Sequence, residues 1–259
     1  MKTVSIKHTY WDIAADIYFP DDFNSEKKYP AIISAHPIGS CKEQTSGSVY
    51  GAALAKAGFI VIAFDASFQG SSGGEPRYLE DPTMRVKDFS IVVDYLTSLP
   101  YVDAGRIGVL GICGGGGYAI NAAMTERRIK AIGTVTGAAL EAGLTEIDLF
   151  EATEYYRSPR GCAPNGVNRS LFSHQTVAVG WDAFHLAEVL LTQPIMVVVG
   201  DRVGAFGAYR DGCEIIGRAA SKHKELVVVE GYSHYDLYDK PEPVKQALDK
   251  LIPFYKTHL

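Results

Sequence analysis

This 259-residue chain has little cysteine, no clustered basic charge and no long apolar run. Its four cysteines, Cys41, Cys113, Cys162 and Cys213, are widely spaced and form no Cys-x-x-Cys pair. That argues against a zinc site and a disulfide framework, and it fits a reducing compartment in which a reactive thiol survives. No Lys/Arg block interrupts a formal net charge of -5, so the chain carries no electrostatic footprint for nucleic acid or an anionic membrane surface. No apolar stretch is long enough to span a bilayer, and residues 1–8 alternate polar and apolar side chains like an edge strand rather than a secretory leader. A cytoplasmic protein is expected. Internal repeats, low-complexity segments and linkers are also missing, so residues 1–259 are expected to form one domain with an insertion.

What is present is an alternation of strand and helix patterns. Apolar runs rich in β-branched residues fall at 31–35, 59–65, 107–110, 131–136, 195–200 and 226–230, with helical patterns at 49–57, 83–99, 115–125 and 245–255. Right-handed crossovers through those helices give an α/β fold, a doubly wound and mostly parallel sheet with its functional loops at the carboxyl ends of the strands. Between the strands at 131 and 195 the chain spends roughly sixty residues without a clear strand, far beyond the usual loop of about 4–6 residues. Residues 138–193 are therefore expected to be an inserted helical cap, with helices at 144–156 and around 181–191. It serves either as packing over the sheet or as a lid on the site.

The most specific signal is Gly111-Ile112-Cys113-Gly114-Gly115-Gly116-Gly117-Tyr118, an apolar strand running into a glycine-flanked cysteine and then a helix. It has the form of a nucleophile elbow, Gly-x-Ser-x-Gly, with Cys113 in the place of the serine. The helix N-terminus favours a thiolate, so a lowered thiol pKa is expected there. Glycine-rich turns before helices also cradle phosphates, but here no Lys-Ser/Thr follows and no ribose-binding acid stands about 20 residues on. A buried structural thiol is the plain alternative.

Three further segments supply the remaining parts. Ala35-His36-Pro37-Ile38-Gly39 follows the first core strand, where the amide of Ile38 with that of Gly114 would bind a developing oxyanion. His234 stands just past the last core strand, the position of a general base. The acid is expected beyond the 195–200 strand: Asp201 is the first choice, although Val203 and Gly204 occupy the usual spacing. Asp211 is the alternative, with a helix N-cap as its plainer role. His36, Tyr118, Tyr155 and Tyr156 are the expected substrate contacts, while a tyrosine stripe equally suits packing. His8, His223 and His258 read as surface residues, His174 and His185 as cap structure.

With these segments, and with residues 64–77, 155–161 and 233–239, nearly the whole chain resembles the α/β-hydrolase superfamily, in its dienelactone-hydrolase-like and YcjY-like branch, which includes fungal polyketide transferases. The resemblance implies a fold of the α/β-hydrolase type and a cofactor-independent hydrolase or acyltransferase with a Cys113–His234–acid triad and no metal. A cysteine nucleophile is also the habit of dienelactone hydrolases. The expected function is cleavage of an ester, lactone or thioester through an acyl-enzyme. An acyltransferase using the same intermediate and a non-catalytic binding protein of the same fold are the alternatives. A small ester or acyl molecule is the expected partner, and the sequence leaves a homodimer open.

Overall fold

The computed structural model describes residues 1–135, 146–171, 177–178, 180–204 and 206–259. Eight strands form one sheet in the order β1-β2-β4-β3-β5-β6-β7-β8. β1 (Lys2–Lys7) and β2 (Asp12–Tyr18) pair antiparallel at one edge, and β2 meets β4 (Ile60–Phe64) antiparallel. β3 (Tyr29–Ala35), β4, β5 (Val102–Ile112), β6 (Ile129–Val135), β7 (Ile195–Arg202) and β8 (Lys224–Ser233) run parallel. The doubly wound α/β fold read from the sequence is thus present.

Adjacent side chains on the central strands face opposite layers, and both layers are apolar, which explains the unbroken hydrophobic runs. Ile33 and Val109 join one cluster with Phe89, Val92 and Ala119. Ile32 and Leu110 join the other with Leu54, Leu251 and Tyr255. Burying each such aliphatic side chain is worth about 1.5–3 kcal/mol, so the sheet is the rigid platform on which the site stands. Helix α2 (Pro82–Ser98) starts where the sequence signals say: the Asp81 side chain accepts from the Met84 amide at 3.0 Å, with Pro82 as the first residue.

Two helical expectations need adjusting. In place of a helix over 49–57, a π-helical turn at Thr45–Gly51 leads into α1 at Ala52–Lys56. Near 181–191 only Ala187–Leu190 is α-helical. There Asp182 Oδ1 takes the Phe184 amide at 2.8 Å, and Leu186 adopts φ 64°. A local side-chain turn and a left-handed residue both compete with helix. Before that stretch α4 (Glu146–Arg157) matches the first helix expected in the insertion. Among the described residues no helix is long and apolar enough to cross a membrane.

Candidate functional site

Cys113 links β5 to α3 (Gly114–Thr125) with φ 54° and ψ −128°. A non-glycine residue in that region is strained, and only a tightly determined surround maintains it. The surround is glycine backbone. A Cβ on Gly115 would lie 2.7 Å from the carbonyl oxygens of both Ala35 and His36, and one on Gly111 would overlap the Gly115 carbonyl. The elbow therefore sits flush against the end of β3. The next loop is equally close, since a Cβ on Gly114 would fall 2.6 Å from the Ile38 side chain. Ile38 and Gly114, the residues of the expected amide donors, are thus neighbours.

His36 has another task. Its ring is fully buried, its Nε2 meets the Ala66 amide at 3.0 Å, and its Nδ1 meets the Pro37 carbonyl at 2.6 Å. An Nε2 that accepts from the amide leaves Nδ1–H to donate to the carbonyl, so both nitrogens are used. Burial first, and the Arg85 guanidinium second, hold its pKa down at about 3, so the ring is neutral. It pins the Ile38 loop from behind instead of touching substrate. Arg85 completes the brace, with a nitrogen 3.0 Å from Glu80 and another donating to the His36 carbonyl at 3.2 Å. Tyr118 belongs to this brace as well: it is buried, its hydroxyl donates to Glu80 at 2.9 Å, and its ring lies under Arg85 and against Trp181.

His234 is buried, with Nε2 3.2 Å from the Tyr238 hydroxyl. That hydroxyl also lies close enough to the Cys113 thiol to favour its ionised form. Tyr238 thus stands between the sulfur and the imidazole. The turn that carries it (Asp236–Asp239) is tied across the molecule: Thr45 Oγ1 donates to the Tyr238 carbonyl and Tyr50 Oη to the Leu237 carbonyl, each at 2.7 Å. Arg160 fastens the β6–β7 segment to the same turn, donating to the Tyr235 carbonyl at 2.7 Å and to both Asp239 oxygens. Tyr155, Tyr156, Tyr235 and Tyr238 then pack edge to face or tilted, with centroids 4.7–5.0 Å apart for the closest pairs. Tyr156 is close enough to Cys113 to feel its charge. Tyr155 lies behind it, against Tyr238 and beneath Arg160.

The electrostatics reverse one expectation. Burial pushes the Cys113 thiol up, and the Tyr238 hydroxyl and Gly114 amide offset that only in part. Desolvation penalises a thiolate more than the short glycine-rich helix start favours it. Burial also holds His234 down at about 3. The resting pair is a thiol and a neutral imidazole.

Asp201 is not brought to His234 by any described contact. It is exposed, and its Oδ1 accepts from the Gly231 amide at 2.6 Å, fastening the ends of β7 and β8. Asp211 is buried and pairs with Arg210 at 3.0 Å. It lies inside the helix Ala208–Arg218, whose N-cap is Gly207, so it is not the cap itself. His174 lies outside the described residues. Among the described residues Cys41, Glu43 and Asp65 bring ligand atoms within 4.8 Å of one another. Lys42 Nζ already stands 3.6 Å from Asp65, 3.7 Å from Asp16 and against Glu43, so that cluster has its cation in the chain.

Sequence reading missed Tyr238. Its signal was the spacing, since four residues on from a histidine in a tight turn can return to the same side. The carboxylate of Asp148 was missed too. It is 2 % exposed, and its Oδ2 accepts from the Phe206 amide at 2.7 Å.

The family model for X-Pro dipeptidyl-peptidase (S15 family) matches residues 11–159. The "Uncharacterized protein YcjY" of Escherichia coli strain K12 is 40 % identical, over 95 % of this chain and 94 % of that protein. The crystal structure of hypothetical protein PA2218 from Pseudomonas aeruginosa superposes with a TM-score of 0.89 at 29 % identity, covering 100 % of this chain and 93 % of that one. A shorter match, 32 % identical over 41 % of this chain and 33 % of the other, falls on "Thiohydrolase aneE" of Aspergillus aculeatus.

Proposed function

The chain belongs to the X-Pro dipeptidyl-peptidase (S15) family of the α/β-hydrolase superfamily, and on that premise we propose that it cleaves an ester, lactone or thioester through an acyl-enzyme on Cys113. The observation that carries the reading is the strained Cys113 at the elbow, with the Tyr238 hydroxyl close to its thiol and 3.2 Å from Nε2 of a buried, neutral His234. A thiol held protonated needs a base. The neutral imidazole beyond the Tyr238 hydroxyl provides one.

The steps follow from those contacts. The Cys113 S–H proton passes to the Tyr238 oxygen while the Tyr238 O–H proton passes to His234 Nε2. The freed thiolate attacks the carbonyl carbon, and the amides of Ile38 and Gly114 receive the oxyanion. The C–X bond then breaks, the leaving atom takes the proton from Nε2, and a thioester to Cys113 remains. Water gives its proton to His234, attacks that thioester and releases the acid, and the thiol is restored. An amide donor to the oxyanion typically contributes about 10²–10³-fold in turnover. The buried tyrosines Tyr155, Tyr156, Tyr235 and Tyr238 give the site an apolar wall, which favours an apolar or aromatic acyl group. The name of the aneE relative supports a thioester as one substrate class.

Transfer of the acyl group to an alcohol or amine differs only in the acceptor. The experiment is turnover of activated short-chain aryl esters, thioesters, lactones and X-Pro dipeptide anilides by wild type and Cys113→Ala, with products analysed with and without an added alcohol or amine. Hydrolysis abolished in Cys113→Ala is expected. Products dominated by the added acceptor would select transfer, and no turnover on any class would leave a binding protein of the same fold.

A further inference from the structure

We propose that Asp148, on the first turn of α4 in the β6–β7 segment, is the positioning carboxylate of His234, its Oδ1 accepting from Nδ1–H. The proposal rests on the reading of His234 as the base for Cys113. A base that becomes an imidazolium in a buried site needs a negative partner on its second nitrogen, to fix the tautomer and to compensate the charge. Nε2 faces Tyr238, whereas Nδ1 is buried and has no hydrogen-bond partner among the described residues.

The other carboxylates around this corner are committed. Asp201 is exposed and holds the Gly231 amide. Asp236 accepts from the Ser233 amide at 3.1 Å and pairs with Lys240 at 2.5 Å. Asp239 takes Arg160 on both oxygens. Asp148 is 2 % exposed, its Oδ2 is fixed, and its buried Oδ1 has neither a hydrogen-bond partner nor, unlike that of Asp236, a lysine beside it among the described residues.

Three contacts put that carboxylate in the right corner. Its anchor is the amide of Phe206, and the Phe206 ring meets the His234 ring edge-on, with centroids 5.6 Å apart. The carboxylate packs on Gly204, where any Cβ would overlap it, so it fills the space beyond β7 from which a side chain is missing. Its negative charge also reaches the Cys113 and Tyr235 side chains. An acidic residue in the first turn of a helix ordinarily serves its own helix, but the acceptor here serves an amide 58 residues away. Burial pushes the Asp148 carboxyl up, and the Phe206 amide offsets part of that. Glu151, one helical turn on, also has a buried unpartnered oxygen, and it is the control.

The test needs no substrate to begin. In ¹⁵N-histidine NMR of the full chain, a downfield Nδ1–H proton on His234 is expected in wild type and in Asp201→Asn, and is expected to be lost in Asp148→Asn. With an activated ester, Asp148→Asn should lower kcat by about 10²–10⁴-fold with KM within about 3-fold. Asp148→Glu should recover part of the loss, and Asp201→Asn and Glu151→Gln should stay within about 3-fold of wild type. A downfield Nδ1–H proton retained in Asp148→Asn, with kcat within 3-fold, would overturn the proposal. So would a loss in Asp148→Asn matched by Glu151→Gln or Asp201→Asn. If wild type turns over nothing, the reading of the site fails, and the NMR signal still decides whether Asp148 holds His234.

Discussion

At the elbow, Cys113 and Gly115 are held by backbone: the end of β3, the glycines of α3 and the Ile38 loop, all within one continuous sheet. Tyr238 and Asp148, by contrast, are held by long-range side-chain contacts, through Thr45, Tyr50, Arg160 and the Phe206 amide. The first region is determined by local sequence and sheet register. The second depends on where a segment between two strands settles. Strain resides in the rigid half, and the adjustable parts of the chemistry reside in the half that an insertion can remodel without disturbing the sheet.

The sharpest way to break that contrast is to remove the reacting atoms. Cys113→Ala and His234→Ala should each lower turnover by about 10⁴-fold or more, and the double variant should lose little beyond either single one, because residues that act as a unit are non-additive. Losses that multiply would mean the two groups work separately. Next in size is Tyr238→Phe, which keeps the ring and deletes the hydroxyl between sulfur and imidazole. We expect kcat to fall by about 10–10²-fold with the Tm unchanged, at the lower end of what a positioned proton-transfer group contributes. An unaffected kcat would show that His234 reaches the thiol without the tyrosine.

In the backbone-held half, the expected effects are on stability. Gly115→Ala drives a methyl group to 2.7 Å from two carbonyl oxygens. Overpacking of this kind costs about 1–3 kcal/mol, visible as a lower denaturation midpoint. His36 gives a pH signature. Its folded pKa of about 3 lies below the ordinary imidazole value of 6.5, so the unfolded chain binds the extra proton between those values. The stability it contributes is complete above pH 6.5 and is lost as pH falls toward 3. Tm measured across that window should fall more steeply in wild type than in His36→Asn. The smallest effect belongs to Asp201→Asn, which weakens one exposed bond to Gly231 and should cost no more than about 0.5–1.5 kcal/mol.

The same division explains what could be read from sequence. The parallel strands were legible because both faces are buried and the runs are unbroken, and the elbow because glycine is required wherever backbones touch. Cys113, Ile38, Gly114 and His234 were legible because each follows the end of a parallel strand. The direction of the thiol pKa was misread, since a helix start is visible in sequence whereas the desolvation that outweighs it appears only once the chain is packed. His36 and Tyr118 were assigned to substrate for a related reason: their partners Ala66, Arg85 and Glu80 come from other segments. Asp148 had no local signal at all. Its contact with Phe206 exists only after the β6–β7 segment has folded over the end of β7.

The central claim is covalent chemistry on Cys113, and the direct measurement is the intact mass of the protein quenched during turnover of an activated thioester, followed by mapping of the modified peptide. The account predicts one acyl group on the peptide that contains Cys113, absent from Cys113→Ala together with the activity. Turnover that continues in Cys113→Ala, or an acyl group mapped to Cys41, Cys162 or Cys213 instead, would contradict it.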